Sequence, residues 1–111
     1  MNTVHIGVAS AKDMKARARA AFKGVRQGEH ISFASIELMH RVLNPNRWNV
    51  LRAMMGQGEI GIREFARMLD RDVKAVHTDV TVLLDAGVID RTESGAVIFP
   101  YDAARVDFLV E

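Results

Sequence analysis

The sequence contains no cysteine, which excludes disulfide bonds, thiolate metal sites and cysteine nucleophiles. It also has no apolar run approaching the roughly 18 residues that a membrane-spanning helix requires. The apolar segment at residues 4–9 is too short and badly flanked to be a signal peptide. We therefore expect a cytoplasmic protein that does not bind a membrane.

Motifs for enzyme chemistry are also missing. The sequence has no glycine loop followed by a phosphate-binding lysine, no zinc-protease motif and no nucleophile elbow. The histidines are scattered without the spacing of metal ligands, at His5, His30, His40 and His77. With 111 residues, the chain is about one domain long, which excludes a multidomain enzyme. We expect a protein that is not an enzyme and that uses no metal or cofactor.

The composition that is present, 49% hydrophobic and 26% charged residues, is that of a folded globular protein. The net charge of +1 conceals an uneven distribution. Residues 12–52 contain nine basic and three acidic residues, whereas residues 88–111 contain two basic and five acidic residues. Clustered basic residues can bind phosphates even when the net charge is small. The alternative for residues 12–26 alone is a solvated helix face.

The first 34 residues predict a strand, a helix and a second strand. Residues 3–9 and 30–34 are short runs with the composition of strands. Between them, Ser10 is a suitable N-cap, and apolar residues recur on one helical face as far as Val25. We expect residues 1–34 to form an extension, and either it or the C-terminal strand to make a dimer interface.

The remaining residues predict four helices. Ser35 and Asn44 are N-caps for helices that end near residues 43 and 56. A short amphipathic helix over residues 62–69 is followed by a longer helix, which Asp72 caps and which ends at Ala86. The spacing predicts that the longer helix buries Val73, Val76, Val80 and Leu83.

The C-terminal residues predict strands. Residues 88–92 and 96–99 form a hairpin around a turn at residues 93–95. Residues 106–110 are a last strand candidate that could pair with an N-terminal strand. Three consecutive helices followed by a hairpin are the order of a winged helix-turn-helix. We therefore predict an α+β fold with this domain at residues 35–111.

In such a domain the longer helix enters the major groove of DNA with its N-terminal half. Four residues near its start would meet bases or phosphates, namely Lys74, Ala75, His77 and Thr78. Arg63 and Arg71 would contact phosphates, and Arg91 on the wing would reach the minor groove or the backbone. We expect a sequence-specific transcriptional regulator, acting as a repressor and as a homodimer on double-stranded DNA.

Three stretches of the chain resemble a known group of proteins. They read SIELMHRVLNPNRWNVLRAMMG, IREFARMLDRDVKAVHTDVTVLLDAGVID and VIFPYD. Over roughly residues 33–107 the chain is similar to a family of small prokaryotic winged helix-turn-helix transcriptional regulators, some of which are labelled antitoxins. Two residues depart from the family, which often has glycine in place of Asp70 and arginine in place of Thr78. The missing arginine weakens the expectation of direct base reading.

The charge of residues 61–87, which include the helix predicted to contact DNA, argues against DNA binding. Residues 61–87 contain four basic and five acidic residues. Asp79 would repel phosphate unless it is paired, and Arg63 or Arg67 are the partners that we expect. The alternative function is an antitoxin or another protein-interaction module that binds a toxin and also regulates its operon. The acidic C-terminal segment motivates that alternative.

Overall fold

The computed structural model describes residues 1–9, 15 and 29–110. In this part of the chain it contains four helices, which are α1 (Ile36–Val42), α2 (Pro45–Met54), α3 (Ile62–Leu69) and α4 (Val73–Asp85). Its strands are β1 (Thr3–Val8), β2 (His30–Phe33), β3 (Asp90–Arg91), β4 (Val97–Ile98) and β5 (Ala103–Val106). The fold is therefore α+β, as predicted. The helix predicted to begin at the N-cap Ser10 lies, except for Lys15, outside the described residues.

The chain divides into two compact units. One contains residues 1–41 and 103–111, and the other contains residues 42–102. The boundary predicted between residues 34 and 35, which separates the N-terminal extension from the winged helix-turn-helix domain, stays a prediction. No helix in the described residues is long and apolar enough to span a membrane.

The first unit contains a three-stranded sheet in the order β2, β1, β5, with both pairs parallel. Alternation along β1 explains which face is covered, because successive side chains of a strand point to opposite faces. Val4 and Ile6 are fully buried, whereas Thr3 and His5 between them are half-buried. In α1, which follows β2, the Ser35 side chain accepts a hydrogen bond from the Leu38 amide, as expected of an N-cap, and Met39 is buried.

The second unit contains helices α2, α3 and α4, and α4 contacts both of the others. Asn44 begins α2, since its side-chain oxygen accepts a hydrogen bond from the Arg47 amide at 2.9 Å and Pro45 follows at the first position. The core of this unit is formed by residues from all three helices and from the hairpin, including Val50, Met54, Phe65, Val76, Leu83 and Phe99. The residues of α4 that were predicted to be buried are buried, with one exception.

That exception is Val73, which was predicted to be buried but is 41% exposed. It is the first residue of α4, directly after the N-cap Asp72. The predicted last strand was also wrong in position. Strand β5 covers residues 103–106 rather than 106–110, and it pairs with β1 along its whole length. The hairpin has the predicted turn but shorter strands than predicted.

Candidate nucleic-acid interface

Helices α3 and α4 are separated by three residues, Asp70, Arg71 and Asp72. Asp70 ends α3 in the left-handed conformation, with φ of 52° and ψ of 49°. Its amide donates to the Arg67 carbonyl, and the Arg71 amide donates to the Ala66 carbonyl at 3.0 Å. This pair of bonds is a Schellman motif, which usually has glycine at the left-handed position. Asp72 then caps α4 by accepting a hydrogen bond from the Lys74 amide.

The start of α4 presents one exposed face and one buried face. Val76, Asp79, Val80 and Leu83 are buried, and their spacing places them on the same side of the helix. The four residues that the sequence assigned to DNA contact are all exposed, namely Lys74, Ala75, His77 and Thr78. The Thr78 hydroxyl donates to the Lys74 carbonyl one turn earlier at 3.1 Å, so these two residues share a face.

The buried face of α4 includes a carboxylate with two arginine partners. Asp79 is only 7% exposed. Nε of Arg47, from α2, donates to Asp79 Oδ1 at 3.1 Å, and Nη1 of Arg71 lies 2.9 Å from Oδ2. Arg47 also donates from Nη1 to the carbonyl of Val42 at 3.2 Å. The cluster links α2, α4 and the segment between α3 and α4 through charged side chains, and its net charge is +1.

The expectation that Asp79 pairs with Arg63 or Arg67 was therefore wrong. Both of those arginines are exposed on α3, whereas Arg47 comes from a helix much earlier in the chain. This pairing changes the electrostatic objection to DNA binding. Asp79 is withdrawn from the surface, and Arg47 brings a fifth basic residue to the five acidic residues of the region. The sum over these residues becomes zero instead of −1.

Arg71, which the sequence assigned to a phosphate contact, also pairs with Asp79, and the sequence did not predict that pair. Its side chain is 30% exposed, and part of its guanidinium is engaged with Asp79. Arg63 and Lys74 are exposed, and within the described residues neither forms an ion pair. Because a guanidinium carries five N–H donors, Arg71 can contact Asp79 and still offer donors to an external anion.

The hairpin that follows α4 is attached to the chain just before α3. Ile60 and Val97 exchange two backbone hydrogen bonds of 2.9 Å. The Ser94 hydroxyl, in the hairpin turn, donates to Glu59 Oε1 at 2.8 Å. Side-chain hydrogen bonds from Thr92 and Ser94 lower the pKa of Glu59 from its ordinary value, because they favour the ionised carboxylate. These contacts fix the hairpin relative to the start of α3.

Arg91 is an exposed residue on this hairpin, as the sequence predicted for the wing contact. Its Nη1 donates to the carbonyl of Gly95 at 3.1 Å, so the arginine supports the turn that follows it. Both residues of β3 are exposed, and the Arg91 guanidinium has further N–H donors beyond this bond.

Sequence reasoning missed the role of Arg47, although one signal pointed to it. Asp79 occurs at the core spacing of α4 between Val76 and Val80, and a buried carboxylate requires a partner. The spacing alone could not identify that partner, because Arg47 lies 32 residues away along the chain. In the described residues, no group of histidines and carboxylates has the geometry to hold a metal ion.

A family model describes residues 42–106 of this chain, and the matching family is HVO_A0114. The match covers more than half of the sequence, and the chain belongs to this family. It includes α2, α3, α4, the hairpin and β5. The family name states no activity. No curated protein and no solved structure shows significant similarity to the chain.

Proposed function

We propose that the protein is a sequence-specific DNA-binding transcriptional regulator, which acts as a dimer through a winged helix-turn-helix formed by α3, α4 and the hairpin. The observation that carries the proposal is the exposed first half of α4, which follows a three-residue link and lies opposite a buried face. A helix presented in this way can enter the major groove, where its side chains meet base edges.

The exposed residues of α4 suit that role. Lys74 can donate to a guanine edge or to a phosphate, and His77 can donate or accept a hydrogen bond at a base edge. Ala75 leaves room for a thymine methyl group, and Thr78 retains a hydroxyl acceptor beyond its bond to Lys74. Arg63 and Arg71 are the proposed phosphate contacts, and Arg91 is the proposed contact of the wing.

The Asp79 cluster supports the proposal by positioning Arg71. An arginine anchored by a buried carboxylate loses less conformational freedom when it meets a phosphate than a free side chain does. The two ion pairs also offset the negative charge of Asp79, which would otherwise repel the DNA backbone. In this proposal Asp79 contacts no DNA, and it acts through the arginine at the start of α4.

The test is binding of the purified protein to labelled DNA from upstream of its own gene, measured by fluorescence anisotropy against scrambled DNA over a salt series. We expect a selective complex whose affinity falls steeply with salt, because several phosphate contacts release counterions. A protein that shows no selectivity at any salt concentration is not a sequence-specific regulator. Co-purification of a stoichiometric small protein from the native host would then support the antitoxin alternative.

Two variants test the assignment of the exposed face of α4. Lys74→Ala and His77→Ala should each weaken specific binding by about tenfold, since a good base contact contributes roughly 1 to 3 kcal/mol. Arg52→Ala is the charge-matched control for Lys74→Ala, because Arg52 is an exposed basic residue on α2 rather than on α4. If both α4 variants bind the operator like the wild type, another surface contacts the DNA.

A further inference from the structure

Strand β5 is at one edge of the parallel sheet, and its backbone groups alternate in direction. The Ala103 amide donates to the Asn2 carbonyl and the Asp107 amide donates to the Ile6 carbonyl, while Arg105 pairs with His5 between them. The amides and carbonyls of Ala104 and Val106 therefore point away from β1. Within residues 1–9, 15 and 29–110, no strand pairs with that outer side. An unpaired edge of this kind is a template for another strand.

The side chains along this edge form two different rows. Ala104 and Val106 pair with Val4 and Ile6 of β1, so they belong to the buried, apolar face of the sheet. Val106 is nevertheless 41% exposed, and Phe108, two residues further on, is 38% exposed. The Phe108 ring lies edge-on to His40 of α1, with ring centroids 6.2 Å apart, so the apolar face at this edge is partly covered and partly exposed.

The opposite row contains one charge of each sign. Arg105 and Asp107 are both exposed, and in the described residues neither forms an ion pair. Their positions are two residues apart, so both side chains point to the same face of the sheet when the strand continues to residue 107. The edge therefore has a positive and a negative charge at equal distances from Val106.

We propose that the outer edge of β5 binds β5 of a second copy of this chain, antiparallel and around a twofold axis at Val106. This inference rests on the dimer of the proposed function and names its surface. The two sheets then join into one of six strands, with the apolar faces on the same side. Arg105 lies opposite Asp107 of the partner subunit, and this pair occurs twice across the axis.

The charges select this register over its neighbours. Moving the axis to Arg105 places two arginines directly opposite each other, and moving it to Asp107 does the same with two aspartates. Like charges directly opposite are destabilising in an antiparallel pair, and opposite charges are stabilising. The axis at Val106 also pairs Ala104 with Phe108 of the partner subunit, so that a small side chain faces a large one. At Ala104 and at Val106, the pairing with the second copy uses the backbone amides and carbonyls that point away from β1.

Charge reversal tests the pairing. The dimer dissociation constant is measured by analytical ultracentrifugation for the wild type, for Arg105→Asp, for Asp107→Arg and for the double exchange. Each single variant places like charges at two contacts, so we expect a dimer about tenfold weaker, whereas the double exchange restores opposite charges and wild-type affinity. Circular dichroism confirms that each variant is folded. If the single variants dimerise like the wild type, or if the double exchange restores nothing, the proposal is overturned.

Cysteine cross-linking tests the register without relying on affinity, because the natural sequence has no cysteine. In the proposed dimer, residues 105 and 107 form a non-hydrogen-bonded pair with Cα atoms about 4.5 Å apart, which a disulfide can span. A mixture of Arg105→Cys and Asp107→Cys should form a disulfide-linked dimer on oxidation with diamide, and either variant alone should not. The mixed dimer keeps one of its two ion pairs.

Equal cross-linking in the single-variant samples, or a mixture that stays uncross-linked while it sediments as a dimer, would place the interface elsewhere. A monomeric wild type overturns the inference as well. None of these measurements involves DNA. A dimer with the expected cross-link that binds no operator therefore contradicts only the proposed function, whereas a dimer that binds the operator selectively but forms no such cross-link contradicts only the inferred surface.

Discussion

Helices α2 to α4 and the sheet of β1, β2 and β5 satisfy their backbone hydrogen bonds in different ways. In residues 42–102, side chains of Asn44 and Asp72 cap two helix starts, and Schellman motifs at Asp70 and Gly87 complete two helix ends. In the sheet, each strand depends on its neighbour, and in the described residues the outer sides of β2 and β5 have none. The helical unit therefore satisfies these backbone groups internally, whereas the described edges of the sheet have backbone groups that can pair with another chain.

The charged residues follow the same division. In the helical unit, Asp79 is buried and bound by two arginines from other parts of the unit. In the sheet, Arg105 and Asp107 are exposed and form no ion pair with the described residues. The difference indicates that charged side chains stabilise the helical unit from within, whereas those of the sheet are available for an external partner. Each of the following predictions tests one side of this comparison.

The largest effect is expected from Asp79→Ala in the helical unit. The substitution leaves Arg47 and Arg71 without their shared carboxylate, and we expect the free energy of unfolding to fall by about 3 kcal/mol. This value is at the lower end of the range for breaking a buried ion pair, because Arg71 is partly exposed. Urea unfolding measures the change. Asp85→Ala on the same helix is the control, since Asp85 is exposed and its loss should change stability by less than about 0.5 kcal/mol. Equal stability of both variants would show that the cluster contributes nothing.

The partners of Asp79 could not be predicted from the sequence, whereas the helices could. Helix positions and caps followed from local patterns, such as Asn44-Pro45 and the spacing of Val76, Val80 and Leu83, because these signals act within one or two turns. The partners of Asp79 depend on how α2 packs against α4, and no local pattern contains that information. The exposed residues of α4 were predictable for the same reason that its core was, since one helical period defines both faces.

The strands were predictable in number but less so in position. Residues 106–110 were favoured by their apolar composition, yet the strand forms at Ala103–Val106. Composition reports how apolar a segment is, whereas a strand forms where a neighbour supplies its hydrogen bonds. Here the neighbour is β1, which pairs in register from Thr3 to Ile6. Long-range pairing of this kind overrides local propensity.

In the sheet, the second largest effect is expected from Gly7→Ala. A Cβ atom at Gly7 would lie 2.5 Å from the backbone carbonyl oxygen of Asp107, closer than two such atoms can approach. We expect the free energy of unfolding, measured with urea, to fall by about 2 kcal/mol, because the backbone after β5 must move. Hydrogen exchange of the Asp107 amide, which donates to Ile6, should accelerate as well.

The control for this substitution is Gly61→Ala, since no atom lies within 4 Å of the Cβ position there. Gly61 is the N-cap of α3, where alanine is somewhat less favourable than glycine, so a loss of about 0.5 kcal/mol is expected. A Gly7→Ala protein as stable as the Gly61→Ala protein would show that the end of β5 does not depend on close contact with β1.

A smaller effect of opposite sign is expected from Asp70→Gly. Asp70 and Gly87 occupy the same left-handed position in two Schellman motifs, with φ of 52° and 75°. Glycine adopts this conformation without strain, but it also loses more freedom on folding, so we expect a net gain of about 0.5 kcal/mol in thermal unfolding. Glu64→Gly removes the same charge from the exposed first turn of α3 and should destabilise the protein instead. A destabilised Asp70→Gly protein would mean that the aspartate side chain makes its own contribution at the turn.

The smallest effect concerns pH and the hairpin of the helical unit. Thr92 and Ser94 bond to Glu59 and lower its pKa in the folded protein, so the stabilisation is present above the ordinary pKa and is lost as the pH falls through the folded value. We expect hydrogen exchange at the Thr92 and Gly95 amides, which donate within the turn, to increase at acidic pH relative to that at residues in α4 in the wild type. Glu59→Gln should show the faster exchange already at neutral pH and lose the pH dependence. Exchange in this variant that still accelerates on acidification would assign the effect to another carboxylate, and the hairpin would then be held chiefly by the backbone bonds between Ile60 and Val97.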